Sequence, residues 1–180
     1  MRPVIRPAEA ADMAAVAEIY AEAVACGTAT FELSPPDVAE MTRRFTALRE
    51  GGFPWLVATA DDSGRCLGYA YAAPYRPRPA YALTLEDSVY VSPDARGGGV
   101  GRALLAALIA AAEAGGFRQM VAVIGDSANA GSVALHGALG FQLVGTLEAV
   151  GRKHGRWLDT VLMQRPLGPG ATTPPAAEPR

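Results

Sequence analysis

The stretch Val89-Tyr90-Val91-Ser92-Pro93-Asp94-Ala95-Arg96-Gly97-Gly98-Gly99-Val100-Gly101-Arg102 leads from an alternating apolar run, through three consecutive glycines, into the Ala/Leu-rich segment Arg102 to Ala114. A strand, a glycine turn and a helix N-terminus in that order turn several free backbone N–H groups, and the positive end of the helix dipole, toward one point. Phosphate is the natural ligand of such a point. The glycines keep side chains out of the approach, and Arg96 and Arg102 add positive charge. A plain tight turn with a helix cap has the same glycine content, so the turn by itself leaves both readings open. The P-loop is excluded because Val100-Gly101-Arg102-Ala103 lacks its lysine and hydroxyl, and a dinucleotide-binding turn would follow the first strand of the chain, not lie past its midpoint.

Around this turn the chain alternates strand and helix patterns. Met13, Val16, Ile19, Tyr20 and Ala23 repeat helically up to Gly27; Ser34-Pro35-Pro36-Asp37 opens a second helix carrying Val38, Met41, Phe45 and Leu48. Trp55 to Ala60 and Cys66 to Ala73 flank Asp61-Asp62-Ser63-Gly64 as a hairpin, and Pro74, Pro77 and Pro79 then bar regular structure. Thr84 to Val91 alternates, with Leu85, Asp87, Val89 and Val91 on one face and Glu86, Ser88 and Tyr90 on the other. Gln119 to Ile124 reads as a buried strand and Gly131 to Leu139 as a helix. Phe141 to Val150 and Trp157 to Gln164 form a closing hairpin around a turn at Gly151-Arg152-Lys153-His154-Gly155. With 180 residues, 50% of them hydrophobic, one core and one domain are expected over residues 1–167, followed by a disordered Pro/Ala-rich tail over 168–180.

Sixteen basic and eighteen acidic residues give a formal charge of -2, which argues against nucleic acid or an anionic membrane as a partner. Cys26 and Cys66 have no companion ligand at metal spacing, so neither a disulfide framework nor a metal is expected. The N-terminus has neither a signal-peptide pattern nor a membrane anchor, which makes a cytoplasmic location the expectation.

The order of elements, with Arg96, Gly99 and Gly101 in a Q/R-x-x-G-x-G/A pattern, resembles the GNAT superfamily of acetyl-CoA-dependent N-acetyltransferases. Val121-Ala122-Val123-Ile124-Gly125, Asn129, Ser132, Leu135-His136 and Leu139-Gly140-Phe141 extend the likeness. Thr84-Leu85-Glu86-Asp87-Ser88-Val89-Tyr90-Val91, Gly145-Thr146-Leu147 and Gly151 to Asp159 are similar to the phosphinothricin/methionine sulfoximine acetyltransferase group. The resemblance implies a single α/β domain: a central mixed sheet with helices on both faces and a V-shaped split between two central parallel strands, those ending at Val91 and Ile124. It also implies that Val89, Tyr90 and Val91 hold the thioester arm of acetyl-CoA, that Arg96, Gly97, Gly98, Gly99, Val100, Gly101 and Arg102 hold its pyrophosphate, and that Asn129 and Ser132 complete the cofactor site. From Glu86 to Val91 is about 17 Å at ~3.3 Å per residue, so one extended cofactor spans from a carboxylate to the phosphate turn.

Glu86 matches the catalytic glutamate of the superfamily and is the candidate general base, since an amine must lose a proton before it attacks; a solvated charge on a strand face is the plain alternative. His136, where the superfamily often has tyrosine, is a candidate acid toward the departing thiolate or a substrate contact, or else a hydrogen-bonded structural histidine. His154 reads as facing solvent or an interface. Arg76, Arg78 and Tyr81 match substrate-contacting positions of the phosphinothricin group, as does Phe31, while Glu32 stands where some relatives have arginine. The implied reaction acetylates the α-amino group of a small, anionic, amino-acid-like acceptor by direct attack, in a homodimer. A peptide N-terminal acetyltransferase and a non-catalytic acyl-CoA-binding module are the competing readings.

Overall fold

The computed structural model describes residues 3–61 and 63–175. Seven strands form one sheet: β1 (Pro3–Pro7), β2 (Trp55–Ala60), β3 (Cys66–Pro74), β4 (Thr84–Val91), β5 (Gln119–Gly125), β6 (Gln142–Lys153) and β7 (Arg156–Pro166). They lie in the order β1-β2-β3-β4-β5-β7-β6. All neighbours run antiparallel except β4 and β5, which are parallel because the helix α3 (Val100–Ala114) crosses between them.

Each face has its own core. Leu104, Leu105, Leu108, Ile109 and Ala112 of α3 bury against Leu56, Ala70, Leu85, Met120 and Ala122. On the opposite face α1 (Met13–Cys26) and α2 (Val38–Glu50) bury Met13, Val16, Tyr20, Met41 and Phe45 against Trp55, Val57 and Tyr69. A fully buried leucine is stabilised by about 1.5–3 kcal/mol relative to exposure, so helices on both faces follow from two apolar stripes meeting a two-sided sheet. β2 is buried at all six positions, which explains its unbroken apolar run. Asp37 caps α2 by accepting from the Glu40 N–H at 2.8 Å, as its position before the apolar repeat predicts. Val38, however, is exposed rather than part of the apolar face. The last helix, α4 (Ala130–Ala138), follows β5. Among the described residues no helix is long and apolar enough to cross a membrane.

Two expectations change. The closing hairpin turns on His154 and Gly155 alone, with φ of 48° and 77°. Both strands continue through the expected loop, since a two-residue turn of this hand matches the twist of its strands. The tail is held as far as Pro174: the Arg118 guanidinium donates to the carbonyls of Gly170, Thr173 and Pro174 at 3.0–3.3 Å, below a fully buried Leu167. Composition counts apolar side chains, not backbone acceptors that can gather around a cation. The end of the tail expected to be disordered, 176–180, lies outside the described residues.

The central feature for function is where β4 and β5 part. Their register pairs Thr84 with Gln119 and ends at Asp87 with Ala122. Beyond it, Ser88 to Val91 have no β5 partner.

Candidate active site

Main-chain groups of successive strand residues point to opposite edges. The Thr84 carbonyl accepts from Tyr75 and the Ser92 N–H donates to Leu67, both on the β3 side, so Val89 and Val91 turn their N–H and C=O groups into the split. An extended chain lying there would find strand-like partners on β4. The split opens a cleft of about 710 Å³ whose walls include Ser88 to Val91, Ala122 to Asp126, Ile19, Glu22, Ala23 and Cys26 of α1 with Gly27 and Thr28 after it, and the glycine turn.

In that turn Gly97 and Gly99 have φ of 75° and 82°, a region that side chains disfavour. Gly99 sits at the N-cap of α3. The first-turn N–H groups of Val100, Gly101 and Arg102 have no carbonyl one helical turn behind them, and Gly97, Gly99, Val100, Gly101 and Arg102 all line the cleft. Gly98 lies within the same turn. Arg96 donates Nε to the Val91 carbonyl at 3.2 Å and Nη2 to Glu22 at 3.1 Å, so its charge is held at the cleft mouth between β4 and α1. The Arg102 side chain is exposed. On the other wall Asn129 caps α4 by accepting from the Ser132 N–H at 3.2 Å, and both residues line the cleft.

The two adjacent carboxylates of β4 face opposite ways. Glu86, on the α1–α2 face with Tyr90, is half-buried; burial, reinforced by the charge of Asp87, pushes its carboxyl above the ordinary glutamate range, against a downward pull from Arg76. Asp87 is buried on the α3 face. There its Oδ2 meets His136 Nε2 at 2.9 Å, while His136 Nδ1 lies 2.7 Å from the Ser132 carbonyl. Both partners are acceptors, an arrangement that favours the ring with a proton on each nitrogen. Burial pulls its pKa down, but the bond and charge of Asp87 and the Ser132 carbonyl outweigh that, and the net shift is upward. His136 lines the cleft with Nε2 on Asp87 and Nδ1 on the Ser132 carbonyl.

The residues expected on the acceptor side divide into two groups. Arg76 stacks over the Tyr75 ring at 4.6 Å, Tyr81 meets that ring edge-on at 5.8 Å, and Arg78, exposed, precedes the 3-10 turn Pro79–Tyr81. Phe31 stands apart on the α1–α2 connection, its ring lying on Gly151. Glu32 is taken by Arg44 at 2.7 Å. The sequence reading missed Glu22, Asp87 and Asp126 as cleft residues; only Asp87 carried a signal, a charge at an otherwise apolar position of an alternating strand.

Residues 5–162 match the acetyltransferase (GNAT) domain family. A phosphinothricin N-acetyltransferase of Alcaligenes faecalis is 56% identical over 164 residues, covering 91% of this chain and 82% of that protein. An L-methionine sulfoximine/L-methionine sulfone acetyltransferase of Pseudomonas aeruginosa is 44% identical over 170 residues, covering 94% and 98%. The crystal structure of a GNAT superfamily phosphinothricin acetyltransferase from Sinorhizobium meliloti, in complex with AcCoA, is similar with a TM-score of 0.94 and 52% identity, covering 98% of this chain and 94% of that one.

Proposed function

The chain belongs to the GNAT acetyltransferase family, and on that premise we propose that it acetylates the α-amino group of a small amino-acid-like acceptor of the phosphinothricin, methionine sulfoximine or methionine sulfone type. The substrate class is carried over from the names of its relatives. The cleft fits acetyl-CoA by its own chemistry: a strand edge without a partner for the amide-bearing arm, then a side-chain-free cradle of N–H groups for phosphate. When bound, acetyl-CoA supplies a thioester carbonyl carbon open to attack by an amine.

The observation that carries the mechanism is the place of Glu86, half-buried, one residue from the end of the β4–β5 ladder. Its carboxylate takes the proton that an acceptor ammonium must lose before direct attack, and a base raised above the usual glutamate range matches that task better at neutral pH. Arg76 and Arg78 bind the acceptor's anionic groups, with Tyr81 and Phe31 as apolar walls. His136 with Asp87 acts as a positioning pair that holds α4, and with it Asn129 and Ser132, against β4. A homodimer would cover Leu143, Val144, Leu147, Val150 and Trp157, all exposed on the β6–β7 hairpin.

Release of CoA thiol from acetyl-CoA, followed with phosphinothricin, methionine sulfoximine, methionine sulfone, free amino acids and short peptides as separate acceptors, tests this. Fast release with the glutamate-like analogues is expected; fast release with peptides alone would replace the substrate class. Glu86→Gln should lower kcat/KM by about 10²–10⁴-fold and remove the acidic limb of its pH profile, whose midpoint lies above the ordinary glutamate value. Unchanged turnover removes Glu86 as the base.

A further inference from the structure

The β6–β7 hairpin touches the connection between α1 and α2 (27–37) at three places, each with an unusual residue. Lys153 is only 4% exposed, although a buried ammonium is costly unless held. Its Nζ donates to the Thr30 carbonyl at 2.9 Å. Phe31 occupies the space above Gly151, where any Cβ would lie 2.2 Å from its ring. The third contact runs through Asp126, a buried residue with φ of 69°, a left-handed conformation that aspartate enters more readily than most side chains because its carboxylate can bond the nearby backbone. Asp126 Oδ2 accepts both from the Thr28 hydroxyl at 2.7 Å and from Arg156 of the hairpin, while Oδ1 accepts from the Ala128 N–H at 3.0 Å.

The opposite side of the connection is equally confined. A Cβ on Gly125 would sit 2.7 Å from the Thr28 carbonyl oxygen and 2.8 Å from that of Ala29, so the chain lies directly on the end of β5. The Thr30 hydroxyl is 2.9 Å from that of Tyr20, which ties the same segment to α1. Residues 28–31 are thus gripped between β5, α1 and the hairpin. Thr28, Ala29, Gly125 and Asp126 also line the cleft.

We infer that Lys153 and Arg156 form a clamp by which the β6–β7 hairpin positions Phe31 at the acceptor site; this rests on the reading of Phe31 as an acceptor wall. Neither side chain needs to touch the reacting atoms. Lys153 fixes the carbonyl just before Phe31, Gly151 leaves the space in which the ring lies, and Arg156 fixes Asp126 as the anchor of Thr28.

Lys153→Met keeps the packed stem and removes only the ammonium. The expected result is an acceptor KM about tenfold higher, the size of one lost buried bond, with kcat and the acetyl-CoA Kd within about twofold of the wild type. Chymotryptic cleavage after Phe31 or Leu33, both exposed, should accelerate by a similar factor as the segment opens. An unchanged acceptor KM with unchanged cleavage overturns the clamp, and so does an acetyl-CoA Kd that rises as far as the acceptor KM. Should Lys153→Met fail to fold, Arg156→Gln, whose side chain is half exposed, carries the same two readouts. If the wild type acetylates none of the acceptors, the functional reading fails and cleavage alone decides: acceleration supports the clamp and an unchanged rate overturns it.

Discussion

Glu86 and Asp87 are neighbours in sequence with separate fates because a strand sends them to opposite faces. Glu86 stays half-buried on the α1–α2 face. Asp87 is buried with one carboxylate oxygen on His136 and the other without a partner among the described residues. The charge–charge part of such a pair's stabilisation lasts only while both members are ionised. Because His136 has its pKa raised in the fold, its contribution is complete below the unfolded histidine value of about 6.5 and is lost as pH rises through the folded value. The urea midpoint is therefore expected to fall as pH rises from about 6.5 through the raised folded value of His136. His136→Gln should cost about 3–5 kcal/mol at the lower end, since it leaves Asp87 buried without its cation. The double variant Asp87→Asn/His136→Gln should flatten the curve; a wild-type midpoint that does not move over this range would mean that His136 is neutral.

At the level of elements, the glycine turn and the start of α3 act as one device. Gly99 and Gly52 share nearly the same left-handed backbone, φ of 82° and 78°, and at neither would a Cβ meet another atom within 4 Å. Alanine at either should cost about 1–2 kcal/mol of stability for its conformation alone. Only Gly99 faces the cleft. Calorimetric titration should show acetyl-CoA binding about tenfold weaker in Gly99→Ala and unaltered in Gly52→Ala, where one obstructed phosphate contact accounts for the difference. Equal binding losses would trace the effect to stability and not to the cradle. Much of this element was legible beforehand, because a strand, a glycine run and a helix cap are set by residues within a few positions of one another. The clamp was not: Gly151 to Gly155 look like turn residues, and nothing local shows that Lys153 points inward.

At the scale of the whole molecule, the sheet ends in an edge strand whose apolar residues face solvent. Leu143, Val144, Leu147 and Val150 on β6, with Trp157 on β7, are 48–65% exposed. Open edges with apolar side chains are normally covered. Sedimentation should give twice the mass of the chain, and the double variant Leu143→Asp/Val144→Asp should shift it to the single mass. A wild-type monomer would sink the dimer and leave this edge without an occupant.

What the sequence determined by itself is what short range decides: strand and helix periods, the Asp37 cap, the glycine turn ahead of a helix, and the face of its strand on which Glu86 lies. These depend on spacings of two, three and four residues, over which backbone geometry alone places side chains. Tertiary structure decided the partners of the buried polar groups. His136 finds Asp87 across 49 positions, and Lys153 finds Thr30 across 123. Such pairings arise only when packed layers bring distant segments together, because a polar group withdrawn from water must take whichever acceptor the fold sets beside it. The cleft likewise lies between distant segments, where β4 and β5 separate after Asp87.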